Sequence, residues 1–158
     1  MKTLLIVWQS RTGAARQMAA AASNAATGVR LLRAADTGPD DVLAADGYIF
    51  AAPENLAALS GPMKDFFDRC YYPVLDRVNG RPYALLVAAG SDGSNVVRQV
   101  ARIATGWRLR LIAHPIIVNT RAQTPADIQA PKTVPPADLT RCAELGAAFS
   151  AGLADGIF

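Results

Sequence analysis

Ser10-Arg-Thr-Gly-Ala-Ala-Arg16 gathers two hydroxyls, a glycine and two guanidiniums into one short segment. Hydroxyls and free amide N–H groups donate to an anion, a glycine lets the backbone come close, and guanidinium adds charge. A second segment, Pro53-Glu-Asn-Leu-Ala-Ala-Leu-Ser60, is mostly apolar and suits the covering of something flat. A third, Ala89-Gly-Ser-Asp-Gly-Ser94, holds two glycines whose exposed amides can hydrogen-bond the edge of a heterocycle. Each has a plainer reading. The first is also an ordinary capped helix start, the second a loop tucked under its own helix. The third is also a tight turn in which Asp92 or Ser94 caps the next helix. Taken alone, the segments leave both readings open.

Missing residues exclude several chemistries. No GxxxxGK[ST] occurs, which argues against a nucleoside triphosphatase, and no GxGxxG follows the first apolar run, which argues against a dinucleotide site of that type. A phosphatase loop needs a nucleophilic cysteine after that run. A phosphate-accepting receiver needs acids where this chain has Trp8-Gln9 and Ala52-Pro53. Cys70 and Cys142 stand far apart with no CxxC or Cys/His spacing, so they read as packed apolar groups rather than zinc ligands or a disulfide framework. His114 is the only histidine.

Alternating apolar and helical runs must position the three segments. Thr3–Trp8 is a continuous apolar run and reads as a strand buried on both faces. Ala14–Ala26 has high helix propensity, Gly28 stops it, and Val29–Arg33 is a second strand. A short helix fits within Asp36–Ala45, and Gly47–Ala52 is a third strand ending at Pro53. Ser60 caps a helix with Pro62 in its first turn, and Phe66, Phe67 and Cys70 continue it on the core side. Tyr83–Ala89 is a fourth strand, Asn95–Ala104 a helix, and Leu109–Val118 a fifth strand with a break at His114-Pro115. Thr120–Pro136, with four prolines, reads as a long loop before a last helix over Asp138–Leu153. Buried strands separated by helices predict a parallel sheet covered on both faces. Ligands in such folds bind beyond the carboxyl ends of the strands. The three segments follow strands one, three and four, at that end.

The chain of 158 residues, 51% hydrophobic with mean hydropathy +0.17, fits a single domain over residues 1–158. A chain of this length buries about 70% of its unfolded surface and needs no metal or disulfide staple. No apolar run is long enough for a membrane span, so a cytoplasmic, membrane-free protein is expected. Thirteen Arg and three Lys against eleven Asp and two Glu give +3. The arginines are scattered apart from Arg98, Arg102, Arg108 and Arg110, which fits a solvated helix face better than a nucleic-acid stripe. A small anionic ligand suits this balance.

The spaced segments together resemble the flavodoxin-like superfamily, most closely the short FMN-dependent oxidoreductases related to tryptophan-repressor-binding-protein-type quinone reductases. The resemblance rests on Ser10–Gly13, Asp46–Pro53, Ser60–Arg69 and Gly80-Arg-Pro82 through Gly93, and covers about residues 1–118. It implies a three-layer α/β sandwich with a five-stranded parallel sheet in the order 2-1-3-4-5 and helices on both faces. It implies that Ser10, Arg11, Thr12, Gly13, Ala14 and Ala15 surround the FMN phosphate. Pro53, Glu54, Asn55 and Leu56 would then line the isoalloxazine ring, and Gly90, Ser91, Asp92 and Gly93 its pyrimidine edge. His114 resembles a histidine near the flavin. The chain departs from its relatives in having no aromatic between Glu54 and Leu59 or between Ser91 and Asn95, and in having Ala15 where a polar residue is usual. An open flavin and a basic chain suit an enzyme that takes hydride from NAD(P)H and reduces a quinone or similar small acceptor. The alternatives are a flavodoxin-type electron carrier, which a basic chain suits poorly, and a flavin-free binding domain. Tyr71-Tyr72-Pro73 and Trp107 read as either interface or core, so a homo-oligomer stays open.

Overall fold

The structure is a computed structural model that describes all 158 residues. Its sheet contains β1 (Leu4–Trp8), β2 (Val29–Arg33), β3 (Gly47–Asn55), β4 (Ala58–Leu59), β5 (Pro82–Ala89), β6 (Arg110–Leu111) and β7 (Ile116–Asn119). The helices are α1 (Ala14–Ala25), α2 (Pro39–Ala44), α3 (Gly61–Val74), α4 (Ser94–Gly106), α5 (Pro125–Gln129) and α6 (Pro136–Ala154). Pairing follows the order β2-β1-β3-β5, with β6 and β7 both on the outer edge of β5. All pairs are parallel except β3 with β4. This is the expected 2-1-3-4-5 sheet, with the fifth strand delivered in two pieces.

Alternation along the strands divides the interior into two layers. Leu5, Val7, Tyr48, Phe50, Tyr83, Leu85 and Val87 face α2, α3 and α4. Leu4, Ile6, Ile49, Ala51, Ala84 and Leu86 face α1 and α6. The first layer is aromatic: Phe50 meets Phe67 edge-on at 4.9 Å, and Phe67 meets Trp107 at 5.4 Å. Such pairs add about 0.5–1.5 kcal/mol beyond area burial. Trp107 is thus a core residue rather than an interface. The second layer is rich in alanines on α1, so α1 and α6 approach closely; a Cβ on Gly146 would run into the carbonyl of Ala22.

Burial accounts for the cysteines. Cys70 and Cys142 are both fully buried and unpaired. Loss of solvation pushes each thiol up to about 11.

Several expectations are corrected. Ser60 stands at the N-cap position of α3, but its hydroxyl makes no cap bond and is buried without a partner. Residues 53–60 form no open loop: β3 runs on to Asn55 and turns through Leu56 and Ala57 into β4. The long loop before the last helix contains α5, capped by the Thr124 hydroxyl, which accepts from the Asp127 N–H. No helix is long and apolar enough to cross a membrane.

Candidate functional site

Because β1, β3 and β5 are parallel, their carboxyl ends and the three segments that follow lie on one edge of the sheet. The first segment bends from β1 into α1. Gly13 takes φ +105°, a left-handed conformation open mainly to glycine, and its N–H donates to Ser10 Oγ at 3.0 Å. No side chain caps α1. Its first N–H groups therefore remain free for a ligand, reinforced by the helix dipole. The side chains of Ala14 and Ala15 are buried in the core, so those residues can offer only their backbone to this loop. Arg11 is exposed, and Ser10 and Thr12 are half-buried.

Sequence reasoning missed Lys132. The chain between α5 and α6 folds back over the first segment, where the Lys132 N–H donates to the Thr12 carbonyl at 2.8 Å. The Lys132 ammonium reaches Thr12 Oγ1 at 3.3 Å and the carbonyls of Ile128 and Ala130 at 3.0 and 2.6 Å. Gln17 fastens the return, donating to the Lys132 carbonyl at 2.7 Å and accepting from the Val134 N–H at 3.0 Å. No carboxylate pairs with Lys132. Its charge is thus left beside the anion-ready loop. Its separation from Thr12 by 120 residues hides it from motif reasoning.

The second segment turns sharply. Leu56 and Ala57 both take positive φ, +52° and +59°, where side chains are strained. The Asn95 side-chain amide holds this turn by donating to the Ala57 carbonyl, and the Leu59 N–H donates to Gln99 Oε1 at 2.7 Å. Pro53 and Glu54 are half-buried and Asn55 is exposed, while Leu56 projects fully into solvent.

The third segment leads into α4 through Gly93 at φ +90°, again without a side-chain cap on the helix. Asp92 instead accepts from the Ser94 hydroxyl at 2.7 Å and its N–H at 3.3 Å. These bonds hold the Asp92 carboxyl below the usual carboxylate range. Asn119 and Gln123 donate to the carbonyls of Ser91 and Gly90, each at 2.7 Å. The edge of the third segment is therefore fixed by the end of β7 and the chain that follows it.

His114 does not join this cluster. It lies exposed between β6 and β7. Since Ile116 pairs with Leu86 and Asn119 with Ala89, His114 is level with the middle of β5. At about 3.3 Å per residue, it stands roughly 16 Å short of the strand's carboxyl end. The side chains of Ala14 and Ala15 are likewise turned away, whereas Ser10, Thr12, Gly13, Pro53, Glu54, Gly90 and Ser91 share the edge.

Two buried oxygens in this region have no partner: Gln9 Oε1, just past β1, and Glu54 Oε2, near the end of β3. An unpaired buried acceptor costs about 1–3 kcal/mol. A ligand bearing hydroxyl or N–H donors would satisfy both. The donors of the first segment suit a phosphate, these oxygens suit a donor-rich chain, and the backbone amides of the third segment suit the edge of a heterocycle. FMN has those parts, and the residues present fit it.

A family model described as NADPH-dependent FMN reductase matches residues 33–123, which contain the second and third segments and leave out the first. A flavodoxin from Aquifex aeolicus is 30% identical over 98 residues, 59% of this chain; the match spans only about half, 53%, of that relative. Among solved structures, a flavodoxin from the domain Archaea superposes with TM-score 0.77 at 17% identity, covering 98% of this chain and 99% of that one. A WrbA-like flavodoxin from Agrobacterium tumefaciens superposes with TM-score 0.78 at 16% identity, with the same coverage. These two likenesses show the flavodoxin-like fold. The family match extends over more than half of the chain, so the chain belongs to the NADPH-dependent FMN reductase family.

Proposed function

We propose that this protein binds FMN across the ends of β1, β3 and β5 and uses it to pass electrons from NAD(P)H to a quinone or similar small acceptor. The observation that carries the reading is the first segment. An uncapped helix start, two hydroxyls and the Lys132 ammonium come together there, a set of donors suited to a phosphate. Bound FMN supplies the redox chemistry. The chain's own work is to hold and expose it. Thr12 and the α1 N–H groups bind the phosphate, and Gln9 and Glu54 accept hydrogen bonds. Leu56 gives an apolar rim, and the Gly90–Gly93 amides hold a ring edge. With no aromatic wall in either flanking segment, a ring face stays open to a second substrate. No side chain is assigned as catalytic.

The electron-carrier reading is favoured by the match to a flavodoxin. The net charge of +3 argues against docking of the kind acidic carriers use.

Titrating the flavin-stripped protein with FMN, followed by fluorescence quenching, tests the binding site. Saturable binding is expected, and Thr12→Glu should weaken it at least about a hundredfold, near 2.7 kcal/mol, by placing a carboxylate against the phosphate. No saturation up to about 100 µM, a free energy near −5.5 kcal/mol, would overturn the reading. Saturable FMN binding without quinone-dependent NADPH oxidation would leave the carrier in its place.

A further inference from the structure

Trp8 ends β1 immediately before the anion-binding segment, and its half-buried indole packs on the α1 side of the sheet. Parallel pairing sets Arg33, the last residue of β2, directly beside it. Helix α1 brings Arg16 to the same ring. The guanidinium carbons of Arg33 and Arg16 lie 5.9 and 6.0 Å from the indole centroid. Around them opens a groove of about 380 Å³, lined also by Leu31, Leu32 and Asp36.

The charge in this groove is unbalanced. The chain's ion pairs use Lys2, Arg30, Lys64, Arg69, Arg108 and Arg141, so neither Arg16 nor Arg33 is neutralised. Asp36, on the rim, is paired with neither. Two cations beside one aromatic ring repel each other unless an anion joins them. Guanidinium is well suited to such a role, because it stacks on rings and grips phosphate with a planar pair of donors. The indole and the leucines offer a face for a flat base, and the Asp36 carboxylate an acceptor for a sugar hydroxyl or a base amine. The volume is that of a small-ligand site.

We propose that this groove binds a nucleoside phosphate, the end of the nicotinamide donor that stays away from the reacting ring. The donor assignment rests on the reductase reading above; the nucleoside phosphate chemistry does not. β2 lies next to β1 at the edge of the sheet. With strands about 4.8 Å apart, the groove, centred between β2 and β1, is roughly 10 Å from the middle of the β3 and β5 ends. A dinucleotide laid along the carboxyl edge of the sheet joins the two places, with one end in each.

The test uses FMN-loaded protein and adenosine 2′,5′-bisphosphate, read by tryptophan emission. Trp8 is the reporter, since the other tryptophan, Trp107, is only 2% exposed. Saturable quenching is expected, absent in Trp8→Phe, with inorganic phosphate binding at least about a hundredfold more weakly for want of the base. Arg33→Ala should weaken the bisphosphate about tenfold or more. It should raise the KM for NADPH while leaving kcat and the FMN titration unchanged, because Arg33 is outside the three segments. Failure of the wild-type protein to bind the bisphosphate, or equal binding by Arg33→Ala, overturns the groove. Weakened bisphosphate binding in Arg33→Ala with an unchanged KM overturns the donor assignment and leaves a site for a free nucleotide. Failure of FMN to bind the wild-type protein would instead strike the reductase reading, so the two failures are distinguishable.

Discussion

Lys132 shows how a single residue completes a site that its neighbours in sequence do not announce. Its ammonium is tied to Thr12 and to two carbonyls, and no carboxylate competes for its charge. Lys132→Met should weaken FMN by about tenfold through the loss of the positive charge beside the phosphate. Riboflavin, which lacks the phosphate, should bind the variant and the wild type alike. Equal FMN affinities for the two proteins would remove Lys132 from the site. At this scale the position of Ser10, Thr12 and Gly13 at the sheet's carboxyl edge is legible because hydroxyls and glycine at a strand-to-helix junction have a local meaning. Lys132 was not, because it is brought to Thr12 from 120 residues away. His114 is placed near a flavin by the resemblance alone, and the register sets it along the edge of β5, away from the three segments.

Among the elements, the turn between β3 and β4 is the most informative. Two-residue hairpins favour positive φ at both positions, normally with Asn-Gly or Asp-Gly. Here Leu56 and Ala57 take that conformation without such residues. The left-handed region costs a non-glycine residue about 1–2 kcal/mol. Ala57→Gly should therefore stabilise the protein by about 0.5–1 kcal/mol, and in a chain this long raise Tm by about 1–4 °C. A thermal melt that moves down or stays put would show that the turn carries no such strain. The lack of a glycine is also why the sequence reads as an open loop at this point. The turn exists because Asn95 and Gln99 on α4 hold it from outside. Strands β1, β3 and β5 were legible because burial on both faces demands continuous apolar runs. The split of the outer strand into β6 and β7 was suggested only by Pro115, which has no N–H to donate to a ladder.

For the whole molecule, two carboxylates hold chain segments together, Asp46 across more than forty residues and Asp41 more locally. Asp46 accepts from the Thr3 N–H at 2.8 Å and from the Lys2 ammonium at 3.0 Å, and Asp41 from the Gly38 N–H at 2.9 Å and Arg30 at 2.7 Å. Partial burial raises each carboxyl. These hydrogen bonds and positive charges outweigh burial, so each ends below the ordinary value of 3.8. A carboxylate whose folded value is depressed stabilises the fold above its unfolded value, and that contribution is lost as the pH falls through the folded one. Stability in urea should therefore hold steady from about pH 7 to 5 and decline below about pH 4. Asp46→Asn should lower the plateau by at most about 1 kcal/mol, since the site is partly exposed, and make the acid decline shallower. An acid decline as steep in the variant as in the wild type would show that Asp46 is not among the groups responsible.

The sequence by itself determined the α/β class, the strands that reach the interior and the three segments at their carboxyl ends. Those features follow from local rules: apolar continuity, helix propensity, and the conformations open to glycine. Only the tertiary structure decided which side chains meet at that edge. It closed Lys132 over Thr12, turned the Ala14 and Ala15 side chains inward and stranded His114 along β5. It also set Arg33 beside Trp8. Each of these depends on strand register or on a long-range chain return. Neither leaves a local trace, because the energy that fixes them comes from burial and pairing between residues far apart in the chain.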